Sequence, residues 1–262
     1  MHETFDLLQK QLLELVENFG LKALKTGTEV EDMSFRDISV LRDLSRDILP
    51  LYVKLGGPEA RNDIREMESI GVDGLIAPMI ESVYSLKKYI STLKEILSPK
   101  SYKKIEKGIN LETINGFREM NAILSSEESK ELHQITAART DLSGSMDLNP
   151  DDERVLEICS VIVARAREND LRTSVGGSIH PEIAAHLIEV VNPNTINTRH
   201  MVISTDVMRK KSPGDIILCH LQFEAELNEY FSMLPGCRQK IYATRAETIR
   251  KRMSKKFSEK SC

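Results

Sequence analysis

The chain has 262 residues, of which 40% are hydrophobic and 29% are charged, as expected for one large folded domain. Its 36 basic and 40 acidic residues give a net charge of −4, which argues against a nucleic-acid partner. The sequence has no apolar run near the ~18 residues of a membrane helix, no secretory segment and four scattered cysteines, so we expect a cytoplasmic protein with free thiols and no membrane partner.

Short apolar runs alternate with amphipathic segments along the chain. Residues 1–20 predict a helix, because Leu8, Leu12 and Leu15 fall on one face. The pattern predicts strands at 21–24, 49–55, 74–79, 108–112, 134–139, 171–175 and 195–203. It predicts further helices at 34–47, 61–70, 85–97, 115–124, 151–169, 181–191, 213–233 and 244–256.

Strands that are separated by crossover helices indicate parallel pairing. We therefore predict an α/β fold, a TIM-type (β/α)8 barrel in a single domain over residues 1–262. The seven strands are one fewer than such a barrel needs, so either the weak N-terminal stretch hides a strand or the barrel is irregular there. Residues 1–20 precede the barrel as a helix, and residues 212–262 form a C-terminal helical extension.

Polar residues follow most of the predicted strands. In a parallel barrel the active site lies at the C-terminal ends of the strands, where basic and acidic groups together favour a small anionic substrate and a metal ion. This rule selects Lys54, Gly56, Gly57, Glu81, Glu112, Arg139, Asp141, Ser143, Ser178, His180, Arg199 and His200.

Some of these residues have both a functional and a structural interpretation. Gly56 and Gly57 permit close approach of the backbone to a substrate anion, or serve only a tight turn. Ser143 contacts a substrate carboxylate, or caps its own turn. Arg139 neutralises substrate charge or pairs at the surface, and His180 acts as acid or base or lies exposed in a turn.

Two sequence motifs resemble those of a known family. GINLET at 108–113 and ARTDLSGSMDL at 138–148 resemble the HpcH/HpaI aldolase/citrate-lyase family of the phosphoenolpyruvate/pyruvate-binding barrels. The segments VKLGGPEARNDI, VDGLIAPMIES and VGGSIHPE occur in the expected order around them, so the resemblance covers roughly residues 21–205.

The resemblance implies a chemistry. It implies that Glu112 and Asp141 bind Mg²⁺ or Mn²⁺, hard cations that prefer oxygen ligands. It also implies a metal-dependent carbon–carbon lyase or aldolase that acts on a 2-oxo acid through a pyruvate-type enolate. In that enzyme Lys54 or Arg139 orients the substrate carboxylate.

The sequence departs from the family pattern at three places. Lys54 stands where the family's aldolases usually have an arginine, and a lysine offers a point charge rather than a bidentate fork. The stretch 25–32 lacks the usual histidine, for which Glu29 is a candidate substitute, and Ala138-Arg139-Thr140 replaces the usual G-P-x before Asp141. The general base is therefore unassigned.

Three other functions stay open. An acyl-CoA lyase of the citrate-lyase or malyl-CoA type, which acts on a CoA thioester, shares both metal carboxylates. A Schiff-base aldolase uses Lys54 as its nucleophile. A non-catalytic binding barrel accounts for the missing histidine.

The C-terminal extension predicts an oligomer. Its first helix carries the apolar residues Ile216, Ile217, Leu221, Phe223 and Leu227. In the family such a helix packs on a neighbouring subunit, so we predict a homo-oligomer; the alternative is that the helix packs on its own barrel.

Overall fold

In the computed structural model, which describes residues 2–258, eight strands close into one barrel in chain order. The strands are β1 (Leu21–Gly27), β2 (Leu51–Lys54), β3 (Gly74–Ala77), β4 (Glu106–Leu111), β5 (Gln134–Ala138), β6 (Arg172–Gly176), β7 (Thr195–Asn197) and β8 (Met201–Ser204). Neighbours from β1 to β7 pair in parallel. The predicted α/β barrel is confirmed.

Helices surround this barrel. They are α1 (His2–Asn18), α2 (Phe35–Ser45), α3 (Arg61–Ile70), α4 (Val83–Ile96), α5 (Pro99–Lys104), α6 (Ile114–Leu124), α7 (Arg139–Gly144), α8 (Glu153–Glu168), α9 (Ala184–Val190), α10 (Thr205–Met208), α11 (Pro213–Met233) and α12 (Gln239–Ser258). α2, α4 and α6 begin after Ser34, Ser82 and Thr113, whose side chains accept a backbone N–H three residues later. The short helices α5, α7 and α10 were not predicted.

The eighth strand lies at the end of the barrel rather than at its start. β1 runs on to Gly27, three residues beyond the predicted strand. The predicted strand 195–203 divides into β7 and β8, which pair antiparallel with Asn197 opposite Val202. β8 also pairs antiparallel with β1 and so closes the barrel. The N-terminal location of the missing strand and the parallel pairing of the last strand are therefore wrong, whereas the predicted irregularity at the N-terminal strand agrees with the register shift between Leu21 and Ala23 in the pairing of β1 with β8.

Bonds from a distant helix hold the turn between β7 and β8. The Thr198 N–H donates to the Met201 carbonyl at 3.0 Å, which closes a tight hairpin. The Thr198 hydroxyl and the His200 N–H both donate to Oε1 of Glu224 on α11, each at 2.5 Å. Residues 198–200 contain no Gly, Pro or Asn to signal a turn. The split of the predicted strand therefore depends on a tertiary contact.

Side chains of the strands alternate between the helices and the barrel interior. The outward positions are apolar, such as Leu24, Val53 and Ile109, and form the main core against the helices. The inward positions near the C-terminal end of the barrel are polar: Lys25, Lys54, Asn110, Thr136, Ser174 and Asn197. Ser174 binds both Thr136 (2.6 Å) and Asn197 (3.1 Å) across this layer. Near its C-terminal end the barrel thus has an apolar wall around a polar interior, while Ala23, Tyr52, Ile76 and Val202 form a separate small apolar cluster.

The C-terminal extension packs on the barrel of its own chain. α11 contacts α1 and α9, and α12 packs along α11. The apolar residues that predicted a subunit contact are buried within this chain: Ile216, Ile217, Leu221, Phe223 and Leu227. The homo-oligomer stays a prediction, because a single chain does not test it.

The structure bears on two expectations from composition, the state of the cysteines and the presence of membrane-spanning helices. Cys159, Cys219 and Cys237 are free thiols, and Cys262 lies outside the described residues. Within residues 2–258, no helix combines the length and apolar character needed to span a bilayer.

A buried carboxylate on helix α2 binds α12 and the residues just before it. Asp37 on α2 is fully buried, and it accepts hydrogen bonds from the Tyr242 hydroxyl (2.8 Å) and the Cys237 thiol (2.9 Å). Hydrogen bonds to a buried charged group contribute about 1.5–3 kcal/mol each. This carboxylate is therefore one of the polar anchors of the extension.

We predict that Tyr242→Phe lowers the free energy of unfolding by about 1.5–3 kcal/mol, because it removes one donor from the buried Asp37 carboxylate. Urea denaturation followed by circular dichroism measures the change. Tyr84→Phe is the matched control, since the Tyr84 ring is exposed and its hydroxyl has no hydrogen bond within the described residues. An equal loss in both variants would contradict the anchoring role.

Candidate active site at the C-terminal mouth of the barrel

A cavity of about 240 Å³ opens at the C-terminal ends of the strands. Its charged lining comprises Lys25, Glu31, Lys54, Glu112, Asp141, Arg199 and Glu224. Asn110, Thr136, Asn197 and Thr198 add neutral polar groups, and Gly176 and Gly177 add backbone. The sequence rule for parallel barrels selected four of the seven charged residues and missed Lys25, Glu31 and Glu224.

Glu112 is held rigidly beside this cavity. It follows β4 directly and is only 2% exposed. One carboxylate oxygen accepts the Met79 N–H at 2.8 Å, and the other accepts the Asn110 side-chain amide at 3.0 Å. Burial raises the pKa of Glu112, and the negative charge of Asp141 adds to the rise, while these two hydrogen bonds and Lys54 oppose it.

Asp141 enters the same cavity from the first turn of α7. Its carboxylate makes no hydrogen bond or ion pair within the part of the chain that the structure describes. Gly177 after β6 packs against the start of α7, where an added Cβ would lie 2.5 Å from the Thr140 nitrogen. Because Gly177 also has φ of +86°, only glycine fits there without strain, and its backbone packs against the first turn of α7, which carries Asp141.

The two carboxylates suit a hard divalent cation. Glu112 and Asp141 repel each other in one cavity, and neither has a cationic side chain within ion-pair distance among residues 2–258. The same residues contain no group of three or more His, Cys, Asp and Glu side chains placed to hold a metal. Mg²⁺ needs only one or two protein carboxylates, because waters and substrate complete its shell. The donor set therefore fits Mg²⁺ or Mn²⁺ and not a closed zinc site.

Lys54 is a fixed positive charge in the cavity. Its Nζ lies 3.0 Å from Glu29 and 3.7 Å from Glu31. Burial by itself lowers the pKa of Lys54, but Glu31 and Glu29 outweigh it and raise the pKa. The predicted substitute base Glu29 is thus an ion-pair partner of Lys54.

The pKa of Lys25 is shifted in the opposite direction to that of Lys54. It lies on β1 and lines the same cavity, and its amine has no hydrogen bond or ion pair within the described residues. Burial lowers the pKa of Lys25; Lys54 and Arg199 lower it further, against the opposing carboxylates of Glu31 and Glu112. The pKa values of the two lysines that line this cavity are therefore shifted in opposite directions.

Arg139 and His180 lie outside the cavity, around Asp151. Arg139 is fully buried, and its guanidinium donates to Asp151 (2.7 Å) and to the carbonyls of Gly177 (2.7 Å) and Ser178 (3.2 Å). His180 bonds Asp151 at 3.0 Å through one ring nitrogen and Glu182 at 2.9 Å through the other. Both side chains brace the loop after β6, so the structure does not bring these two predicted catalytic residues to the cavity.

The predicted substrate-binding residues are also placed elsewhere. Gly56 donates its N–H to Asp63 at 2.9 Å, and Gly56 and Gly57 border a separate depression beside Tyr84. The Ser143 hydroxyl donates to the Thr140 carbonyl at 2.9 Å within α7, which is the turn-capping alternative. None of the three lines the central cavity.

The C-terminal extension contributes to the cavity wall. Leu221 and Glu224 of α11 and Ile249 of α12 line it. Glu224 is 1% exposed; burial raises its pKa, against the hydrogen bonds from Thr198 and His200. His200, on the other side of the turn, is also buried, which lowers its pKa to about 3 and keeps the ring neutral.

Comparison with known proteins shows which fold this is. No family model and no curated protein matches the sequence. Among solved structures, the chain is similar to an HpcH/HpaI aldolase from Desulfitobacterium hafniense, with TM-score 0.58, 12% identity, and coverage of 86% of this chain and 90% of that one. It is also similar to an HpcH/HpaI aldolase/citrate lyase family protein from Burkholderia cenocepacia, with TM-score 0.57, 14% identity and coverage of 71% and 81%.

A third similar structure is the citrate synthase SbnG, with TM-score 0.54, 13% identity, and coverage of 71% of this chain and 89% of that one. At such low identity these likenesses show the fold alone. The fold of this chain is that of HpcH/HpaI aldolase/citrate lyase barrels, in agreement with the resemblance of the GINLET and ARTDLSGSMDL motifs.

Proposed function

We propose that this protein is a divalent-metal-dependent carbon–carbon lyase or aldolase that acts on a 2-oxo acid. The observation that carries the proposal is the pair Glu112 and Asp141, two carboxylates that face one small cavity without an ion-pair partner in the described chain. Two of the similar barrels are an aldolase and a citrate synthase, proteins that make or break carbon–carbon bonds, and this likeness supports the same class.

Glu112 and Asp141 would hold Mg²⁺ or Mn²⁺. When bound, the ion supplies Lewis-acid polarisation of the substrate's keto oxygen. Met79 and Asn110 fix the orientation of the Glu112 carboxylate through their hydrogen bonds, so that it needs little rearrangement to bind a cation.

Lys54 orients the substrate carboxylate in this proposal. Its raised pKa keeps it protonated, and its position in the cavity gives the substrate anion a point charge to contact. For the same reason Lys54 is poorly suited to Schiff-base chemistry, which needs a neutral amine.

Lys25 takes the role of the missing base. A neutral amine at Nζ accepts a proton from the carbon next to the keto group; the C–H bond breaks, an N–H bond forms and the electron pair stays with the substrate. The lowered pKa of Lys25 favours the neutral form, and its position in the cavity of Glu112 and Asp141 gives it access to the substrate. A CoA thioester substrate would use the same carboxylates, and we keep it as the alternative substrate class.

Exchange of the methyl protons of pyruvate for deuterium, followed by NMR, tests the proposal. We expect exchange with Mg²⁺ or Mn²⁺ and none after EDTA treatment, because proton release from carbon requires the polarised keto group. Exchange that persists in EDTA would contradict the metal-dependent mechanism. Metal binding without exchange on any 2-oxo acid would favour the CoA thioester.

A further inference from the structure

Glu224 is a carboxylate of the cavity that has no part in the proposed proton transfer to Lys25. It lies on α11, is 1% exposed and lines the same cavity as Lys25. Its Oε1 atom accepts both the Thr198 hydroxyl and the His200 N–H, each at 2.5 Å. Its Oε2 atom has no hydrogen-bond partner within the described residues and is not closed off from the cavity. The carboxyl group is therefore held at one oxygen and open to a ligand at the other.

The backbone of His200 connects Glu224 to Lys25. The Lys25 N–H donates to the His200 carbonyl at 2.9 Å, and the N–H of the same His200 donates to Glu224. In the closed barrel, β8 and β1 lie across the interior from β4 and β5, after which Glu112 and Asp141 stand. Lys25 and Glu224 thus share one wall of the cavity, and the two carboxylates of the proposed metal site belong to the opposite wall.

Burial favours the neutral form of both groups on this wall. It raises the pKa of Glu224, and the hydrogen bonds from Thr198 and His200 oppose this rise, as do the positive charges of Arg199 and Lys25. It lowers the pKa of Lys25. Because Oε1 accepts two hydrogen bonds, a proton on the Glu224 carboxyl group is carried by Oε2, the oxygen that is open to the cavity. One wall therefore offers both a proton acceptor and a proton donor.

We propose that Glu224 donates a proton to the carbonyl oxygen of a second substrate, an aldehyde or ketone, when the enolate of the 2-oxo acid adds to it. This inference rests on the proposed function. It divides the proton transfers between two residues of one wall: Lys25 acts on the carbon of the 2-oxo acid, and Glu224 acts on the oxygen of its partner.

The bond changes balance in this scheme. Lys25 accepts a proton from the carbon next to the keto group, and the electron pair of that C–H bond forms the enolate. The enolate carbon bonds to the carbonyl carbon of the second substrate, whose π electron pair moves to its oxygen. That oxygen takes the proton from Oε2 of Glu224, so the product is a 4-hydroxy-2-oxo acid. Transfer of the proton from Lys25 to the Glu224 carboxylate restores both groups.

Two rates measured by NMR with Mg²⁺ test the inference: exchange of the pyruvate methyl protons, and addition of pyruvate to an aldehyde, either acetaldehyde or glycolaldehyde. Glu224→Gln keeps an acceptor oxygen for Thr198 and His200 but has no carboxyl proton. We expect addition to fall by about 10²–10⁴-fold and exchange by less than about tenfold, since exchange needs no second substrate. Equal losses of both rates, or exchange without addition to either aldehyde in the wild-type protein, would overturn the inference.

The pH profile separates a proton donor from a carboxylate that only holds the turn. In the wild-type protein, the ratio of addition to exchange should fall with rising pH as Glu224 loses its proton, although exchange itself rises as Lys25 loses its own. In Glu224→Gln the ratio should not depend on pH. A ratio that is independent of pH in the wild-type protein would overturn donation by Glu224, and this measurement needs no variant.

Glu226→Gln is the matched control. Glu226 lies on the same helix, but its carboxylate accepts the side-chain amide of Gln11 at 2.6 Å and does not line the cavity, so both rates should match the wild type. Absence of exchange in the wild-type protein would overturn the proposed function and this inference together. Exchange without a selective loss of addition in Glu224→Gln overturns this inference alone.

Discussion

Asp141→Asn and Glu112→Gln are each expected to lower metal-dependent exchange of pyruvate protons by about 10²–10³-fold, the loss that follows removal of one electrostatic stabiliser of a developing negative charge. Asp141→Asn is the cleaner change, because its carboxylate has no hydrogen bond within the described chain to disturb. Glu112→Gln also places an amide against Asn110. NMR measures exchange, and calorimetry with Mn²⁺ measures the accompanying loss of metal affinity.

The pH dependence of metal binding tests the same site. A carboxylate must be ionised to bind the metal. Since burial raises the pKa of Glu112 above its usual 4.5, Mn²⁺ affinity should fall with decreasing pH in a range above that of an ordinary glutamate. Glu119→Gln, an exposed glutamate on α6, is the control and should leave exchange and affinity unchanged. Full exchange in Asp141→Asn would refute the metal site.

The sequence located the two carboxylates of the proposed metal site because of where they stand in the chain. Glu112 directly follows an apolar strand and Asp141 follows the next strand by a few residues, and the C-terminal ends of parallel strands converge on one mouth. The same rule also selected Arg139 and His180. Neither of these two side chains lines the cavity, because proximity to a strand end does not fix the direction of a side chain. Both instead bind Asp151 on the following loop.

Lys25 was missed for a different reason. The sequence LKALKTG interrupts an apolar run with charged residues, so the predicted strand ended at Leu24 and assigned Lys25 to a loop. In the structure β1 continues, and alternation turns Lys25 inward with Lys54 of the next strand. A lysine at an inward position of a barrel strand indicates a residue of the cavity. This pattern can be recognised only when the end of the strand is predicted correctly.

The C-terminal extension was predicted as helices, but its part in the site was not. Glu224 holds the turn between β7 and β8 and also lines the cavity, although about 24 residues separate it from that turn. No local sequence pattern predicts such a contact, because a glutamate on an amphipathic helix is normally expected to face solvent. The same contact explains why one predicted strand became two.

Lys25→Met is expected to lower exchange of the pyruvate methyl protons by about 10²–10⁴-fold, the usual contribution of a general base, while Mn²⁺ still binds. In the wild-type protein the rate should rise with pH as the amine loses its proton, and the midpoint should lie below 10.5 because burial lowers the pKa of Lys25. Lys25→Arg should not restore the rate, since a guanidinium keeps the charge but does not give up its proton near neutral pH.

Lys22→Met provides the matched control for this base. Lys22 lies on the same strand, but its side chain is exposed, so the rate and its pH profile should match the wild type. Borohydride treatment with pyruvate distinguishes a base from a nucleophile: a covalent adduct on Lys25 would replace the proton-transfer role with a Schiff base. If exchange survives in Lys25→Met with an unchanged midpoint, the proton acceptor is another group, and the opposite tuning of Lys25 and Lys54 reflects only their different neighbours.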